Sequence, residues 1–217
     1  HVPVDCIAGT SMGALVGGTF ASGVDAKELE KVVSAISWQD AIGRSGLRAK
    51  VPMRRKLAGN TYSNSLEFGI REGGLVAPSG LISTQNVDLT IQYLVARSRG
   101  ISDFDQLPIP FRAIATDMQN GEMVVLREGD LALAMRASMA IPGAFAPVIT
   151  DEHILADGGM VRNIPVDVAR ELCADVVIVV NVGSPLLKPD EIGSLLSVTA
   201  QMVNILTEQN VTRSLAT

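Results

Sequence analysis

The sequence predicts an α/β sandwich, and three observations carry that prediction. Short apolar runs alternate along the chain with segments of helical periodicity. Aromatic residues are only 4% of the 217, while Ala, Val, Leu and Gly abound, which suits helix-on-sheet layers better than an aromatic-rich β-sandwich. The most apolar run, residues 176–182, reads as a strand buried on both faces of a parallel sheet.

Residues 2–8 are an apolar run feeding directly into glycine, the pattern of a buried strand. After Gly9-Thr10-Ser11-Met12-Gly13, residues 14–22 read as a helix that Gly23 ends. Asp25 caps a second helix, residues 26–36, with Glu28 placed as in a capping box. Residues 37–80 carry scattered Gly, Asn, Ser and Arg and show no clear period. Residues 83–99 predict a helix with Val87, Ile91, Leu94 and Val95 on one face. Residues 111–116 read as a strand, and Asn120-Gly121 signals a hairpin turn into a second strand over 122–126. Asp130 caps a helix over 131–140 that Pro142 stops. Residues 154–156 make a short strand ending at Asp157-Gly158-Gly159. Pro165 opens a helix to Cys173, in the first-turn position that proline tolerates. From Glu191 onward, Ile192, Leu195, Leu196, Met202, Val203 and Leu206 fall on one helical face.

The bulk properties narrow the function. Hydrophobic residues are 47% and charged ones 19%, enough for a large core in one domain, or one domain with an extension. The net charge of −5 argues against nucleic acid as a partner, because phosphate contacts need a basic surface. Cys6 and Cys173 are too few for a disulfide framework and read as small core residues. No Cys/His cluster has metal-ligand spacing, so neither metal nor cofactor is expected in the chemistry. No transmembrane run or signal peptide is visible, and a chain opening beside a strand and stopping within a helix reads as a fragment.

Gly9-x-Ser11-x-Gly13 between a strand and a helix has the form of a nucleophile elbow. The turn is tight, so the residues flanking serine are expected to lack bulk. The helix that follows aims its N-terminal N–H groups at developing negative charge, and the Met12 N–H is a candidate oxyanion donor. The competing readings are a small-residue turn where a helix packs closely on a sheet, and a phosphate loop. The second lacks the Gly-Lys-Ser/Thr ending of a P-loop.

Serine needs a group to take its proton. Only His1 and His153 are available as imidazoles. His1 lies on the order of 23 Å from Ala8 along an extended strand, which places it badly. His153 would complete a triad Ser11–Asp117–His153 in the order of α/β-hydrolases, although its Thr-Asp-Glu-His run looks like an exposed turn. Asp157 is the other candidate, since Gly158 and Gly159 allow a sharp turn that brings another loop onto its carboxylate. At its reference pKa it would be roughly three units too acidic for an ideal base, worth about 4 kcal/mol. Partial burial would reduce that gap.

These segments resemble a known family. The run from Asp5 to Ala14 resembles the nucleophile segment of patatin-like phospholipases, and Asp157-Gly158-Gly159 with Asn163 and Pro165 resembles their Asp-Gly-Gly segment. Ala115-Thr116-Asp117 and Arg136-Ala137-Ser138-Met139-Ala140-Ile141-Pro142 match the family's wording between them. The resemblance implies a three-layer α/β/α fold with a mostly parallel central sheet. It covers a catalytic domain over 1–185, and the apolar helical face beyond it makes 186–217 a helical extension expected to pack on the domain or on a second copy. It also implies a Ser11–Asp157 dyad without histidine, and acyl hydrolysis of a phospholipid or lysophospholipid. It is closest to bacterial members, some secreted and some cytoplasmic at a membrane. The family's Gly-rich oxyanion loop precedes the nucleophile strand, and nothing in this sequence matches it.

Arg44, Arg48, Lys50, Arg54, Arg55 and Lys56 stand in a stretch without acidic residues, 41–66, and are candidates for contact with anionic headgroups at a peripheral membrane surface. The alternative is an ordinary solvated loop. The reading that combines these features is a serine lipid acyl hydrolase, with a His153-dependent triad esterase and a non-catalytic lipid-binding domain as its rivals.

Overall fold

The computed structural model describes residues 2–35, 69–71, 74–76, 85–183, 185–193 and 195–215. Strand β1 (Ile7–Thr10) leads into α1 (Met12–Ala21), followed by α2 (Ala26–Ala35) and an antiparallel pair, β2 (Gly69–Arg71) with β3 (Gly74–Val76). Then come α3 (Gln85–Leu94), β4 (Phe111–Asp117), β5 (Met123–Leu126) and α4 (Leu131–Ser138). The chain continues through β6 (Val148–Ile149), β7 (Ile154–Asp157), α5 (Val166–Leu172) and α6 (Leu195–Leu215).

The main sheet is mixed and organised around β4, whose Phe111, Ala113, Ile114 and Ala115 are fully buried. β5 pairs antiparallel with β4 from Ala113 to Thr116 and fills one edge of it. The overlapping partners β1 and β7 must therefore share the other edge. β1 lies parallel to Phe111–Ile114 there, and β7 lies antiparallel to Ala115–Asp117. The two run head to head: β1 ends at Thr10 opposite Ile114, and β7 ends at Asp157 opposite Ala115. One edge of one strand thus sets the ends of two distant segments side by side.

Helices cover both faces. Along β1, Ile7 packs into the cluster that holds Leu15 of α1, Ile91 of α3 and Met135 of α4. Alternation turns Cys6 and Thr10 to the opposite face. There Cys6 is disulfide-bonded to Cys173 at the end of α5, and Thr10 Oγ1 donates to the Arg162 carbonyl at 2.8 Å. A Cβ at Gly18 would lie 2.9 Å from Met135 Sδ, so a bare residue there lets α1 press close to its neighbours.

Most elements form where their sequence signals place them, but the strand expected over 2–8 forms later, at Ile7–Thr10, and Val2 and Val4 before it are exposed. Asp25 Oδ1 accepts from the Lys27 and Glu28 N–H groups at the head of α2, and Asp130 Oδ1 accepts from Leu133 N–H at the head of α4. Gly121 takes φ 77° in the turn joining β4 to β5, a conformation that favours glycine. Glu28 does not close a capping box; it pairs with Arg97 at 2.9 Å.

Three expectations are corrected. The two cysteines are not separate core residues: α5 packs behind β1 and brings their Cα atoms to 6.2 Å, within bonding range. Residues 176–182 form no strand, and Val176 and Val180 are 84% and 76% exposed. Apolarity expresses a demand for burial, but a strand forms only beside a backbone that offers its own N–H and C=O groups. No described strand pairs with this run. Finally, the helix expected from Glu191 onward begins at Leu195, and of its expected apolar face Ile192, Met202 and Leu206 are exposed. Its contacts include polar ones, with Gln201 accepting from Leu187 N–H at 2.8 Å and Ser214 buried. No described helix is long and apolar enough to cross a membrane.

Candidate active site

Ser11 follows β1 and caps α1 with φ 53° and ψ −117°, the one non-glycine residue at positive φ among the described residues. Its own carbonyl accepts from Ala14 and Leu15, so α1 starts directly at the serine. Its N–H donates to Ser138 Oγ at 2.9 Å, and Ser138 donates in turn to the Ile114 carbonyl at 2.6 Å. Ser138 is fully buried at the end of α4, and it ties the strained turn to the central strand. Gly9 is needed for space: a Cβ there would collide with the Gly13 carbonyl. Gly13 itself has open space where a Cβ would stand, so the expected requirement for smallness holds on one side of the serine only.

Ser11 Oγ donates to Asp157 Oδ2 at 2.6 Å. The other carboxylate oxygen, Oδ1, accepts from Gly159 N–H at 2.7 Å. The Asp157 backbone is fixed from two sides, its N–H donating to the Ala140 carbonyl at 3.0 Å and its carbonyl accepting from Thr116 Oγ1 at 2.8 Å. Gly158 must be bare because a Cβ would collide with the Ile114 carbonyl. Asp157 is 3% exposed, and burial raises its pKa from 3.8 to about 6 against the opposing pull of the Ser11 and Gly159 bonds. The carboxylate is therefore poised to exchange a proton near neutral pH.

His153 does find Asp117, with Nδ1 2.9 Å from Oδ2. The Gln119 N–H and then the His153 ring hold the Asp117 carboxyl below the usual range. However, His153 precedes Asp157 by four residues along an extended run, about 13 Å. The histidine pair and the serine contact thus stand at opposite ends of β7. A cleft of about 500 Å³ lined by Val95, Arg99, Ile101, Asp130 and Leu131 lies at the other end of α4 from Ser138, away from Ser11. Among the described residues no group of His, Cys, Asp and Glu is arranged to hold a metal. The basic run Arg44, Arg48, Lys50, Arg54, Arg55 and Lys56 lies outside the described residues.

Residues 2–170 match the family described as patatin-like phospholipase. The chain belongs to that family. A patatin-like phospholipase domain-containing protein of Caenorhabditis elegans is 35% identical over 185 residues, covering 84% of this chain and 12% of the relative. Patatin-like phospholipase domain-containing protein 7 of mouse is 30% identical over 188 residues, with the same two coverages. An uncharacterized NTE family protein of Mycobacterium tuberculosis is 31% identical over 176 residues, 81% of this chain and 40% of the relative. The chain therefore spans between about an eighth and two fifths of these relatives.

Sequence reading brought together Ser11, Asp157 and their glycines. It gave no role to Ser138, Thr116 or Ala140, which hold them. A serine inside the apolar run Ala-Ser-Met-Ala is a signal that a buried hydroxyl has a partner, but its partners lie 127 and 24 residues away.

Proposed function

We propose that this chain is a serine lipid acyl hydrolase, with Ser11 as nucleophile and Asp157 as its base. The observation that carries the reading is the 2.6 Å bond from Ser11 Oγ to a buried carboxylate whose pKa stands at about 6. A base one unit below neutrality is short by about 1.4 kcal/mol, against about 4 for an ordinary aspartate. Family membership supports a lipid ester as substrate, and we take a phospholipid or lysophospholipid as its class. Met12 and Val16 are exposed one helical turn apart beside Ser11 and offer apolar surface to an acyl chain.

Asp157 takes the proton as Ser11 Oγ adds to the acyl carbonyl. The N–H groups opening α1, that of Met12 first, receive the oxyanion. Collapse expels the alcohol, whose oxygen takes from Asp157 the proton that Ser11 gave up, and leaves an acyl-serine. Asp157 then takes a proton from water, whose oxygen attacks the ester. Fatty acid leaves and Ser11 recovers its hydrogen. The proton returns at every turnover, so no histidine is required.

Hydrolysis of short-chain and phospholipid esters tests this reading. Ser11→Ala and Asp157→Asn are expected to lower kcat by about 10⁴-fold or more. His153→Ala is expected to remain near wild type. The rate should rise with pH through about 6, as Asp157 ionises. If His153→Ala falls as far as Ser11→Ala, the triad replaces the dyad. If the wild-type chain cleaves no ester, the lipid-binding reading replaces both.

A further inference from the structure

The turn that carries Asp157 is gripped from behind by α6. Thr207 Oγ1 donates to the Gly159 carbonyl at 3.2 Å. Asn210 Nδ2 donates to the Met160 carbonyl at 2.5 Å and reaches that of Gly159 at 3.4 Å. Two carbonyls only accept, so it is the amide nitrogen of Asn210 that faces them. Ser214, one turn further on, is buried, with Arg162 Nη1 3.5 Å from its hydroxyl. Residues 207, 210 and 214 fall on one face of the helix, a polar seam laid along the turn after Asp157.

Gly159 links this seam to the dyad. Its N–H holds Asp157 Oδ1, while its carbonyl is held by α6. Without a side chain, Gly159 has little local stiffness of its own. A Cβ at this position would lie 2.9 Å from Asp157 Oδ1 and 3.3 Å from Thr207 Oγ1, so the backbone is wedged between carboxylate and helix. We infer that Asn210, assisted by Thr207, is a positioning residue for Asp157, acting through the Gly159 peptide. α6 keeps the Gly159 N–H on Oδ1 and thereby leaves Oδ2 aligned on Ser11. The inference rests on the dyad reading above. It makes α6 part of the catalytic apparatus, although the helix begins only at Leu195, well beyond the base in sequence.

The electrostatic consequence has a definite sign. The Gly159 bond stabilises the ionised carboxylate, so loosening it moves the Asp157 pKa up from about 6. The test compares kcat, KM and the acid limb of the pH–rate profile on a short-chain ester. Rates are normalised to the serine labelled by an alkyl fluorophosphonate. Asn210→Asp keeps the shape of the side chain and removes the donor, and Thr207→Val does the same at the second position. Thr207→Ser restores a hydroxyl, and Met202→Ala changes the exposed face of α6. Asn210→Asp is expected to lower kcat between about 10- and 100-fold with KM unchanged, and to move the acid limb to higher pH. Thr207→Val should shift in the same direction by less, Thr207→Ser should recover that loss, and Met202→Ala should follow wild type. The inference is overturned if Asn210→Asp keeps the wild-type rate and acid limb per labelled serine, even when less of the protein is folded. Asp157→Asn separates the two levels. If it is inactive while Asn210→Asp behaves as wild type, the dyad stands without α6; if it is active, both fail.

Discussion

Ser11 and Asp157 are each held in a state they would not choose alone. A non-glycine residue at φ 53° costs of order 1–3 kcal/mol, and the Ser138 bond offsets part of that by satisfying the Ser11 N–H. The Asp157 carboxylate is buried with two hydrogen bonds and no cation among the causes of its shift. The folded chain keeps the Asp157 proton up to about pH 6, whereas the unfolded chain releases it near 3.8. Between those values the folded state binds more protons, so the stability this group contributes is present below 3.8 and lost as pH rises through 6. The difference amounts to about 3 kcal/mol at neutral pH. Asp157→Asn, which never ionises, should therefore be more stable than wild type at pH 8 by up to that amount, with the gap closing near pH 4. Denaturant unfolding at the two pH values measures it. An unchanged or reduced stability at pH 8 would show that burial is not what raises this pKa. Activity and stability thus run in opposite directions across the same window.

At the level of elements, the site is made by one strand edge and one helix end. β4 sets the ends of β1 and β7 side by side, and the residues closing α4 join both, Ser138 to the Ser11 N–H and the Ala140 carbonyl to the Asp157 N–H. Removing the Ser138 hydroxyl leaves a buried N–H and a buried carbonyl without a partner. Ser138→Ala is therefore expected to cost about 1–3 kcal/mol of stability and to lower kcat more than it raises KM. Thermal unfolding with steady-state kinetics measures both, and a variant at wild-type kcat would mean that the turn holds its φ unaided. The elements themselves were legible wherever the signal is local: Asp25 and Asp130 as caps, Asn120-Gly121 as a turn, Gly9-x-Ser11 as an elbow. What could not be read is pairing. The run 176–182 has a strand's composition, but a ladder belongs to two strands. α6 shows apolar periodicity, but it docks through Thr207 and Asn210, whose partners are bare carbonyls that leave no trace in a sequence. Ser11 and Asp157 could be singled out because the Gly-x-Ser-x-Gly and Asp-Gly-Gly patterns mark them, while Ser138 and Asn210 bond to backbone groups that carry no such mark.

Across the whole molecule, the two ends of the described chain close on the same region. α6 comes back onto the turn after Asp157, and the Cys6–Cys173 disulfide joins the strand leading to Ser11 with the helix beyond that turn, across a separation of 167 residues. A link of that span removes much of the conformational freedom of the unfolded chain, by about 5 kcal/mol in the loop-entropy account, with measured values commonly about 2–4. It does not touch Ser11 or Asp157, which are held by β4, α4 and the Gly159 N–H. Replacing both cysteines by serine, or reducing the bond with a dithiol, should lower the Tm on the order of 10 °C for a chain of this size. The kcat measured well below that Tm should remain close to wild type. If the Tm does not move, the disulfide restrains little that the fold does not already fix. If kcat falls at low temperature while the protein remains folded, β1 depends on α5 for the placement of Ser11, and the strand edge of β4 is not sufficient to set the dyad.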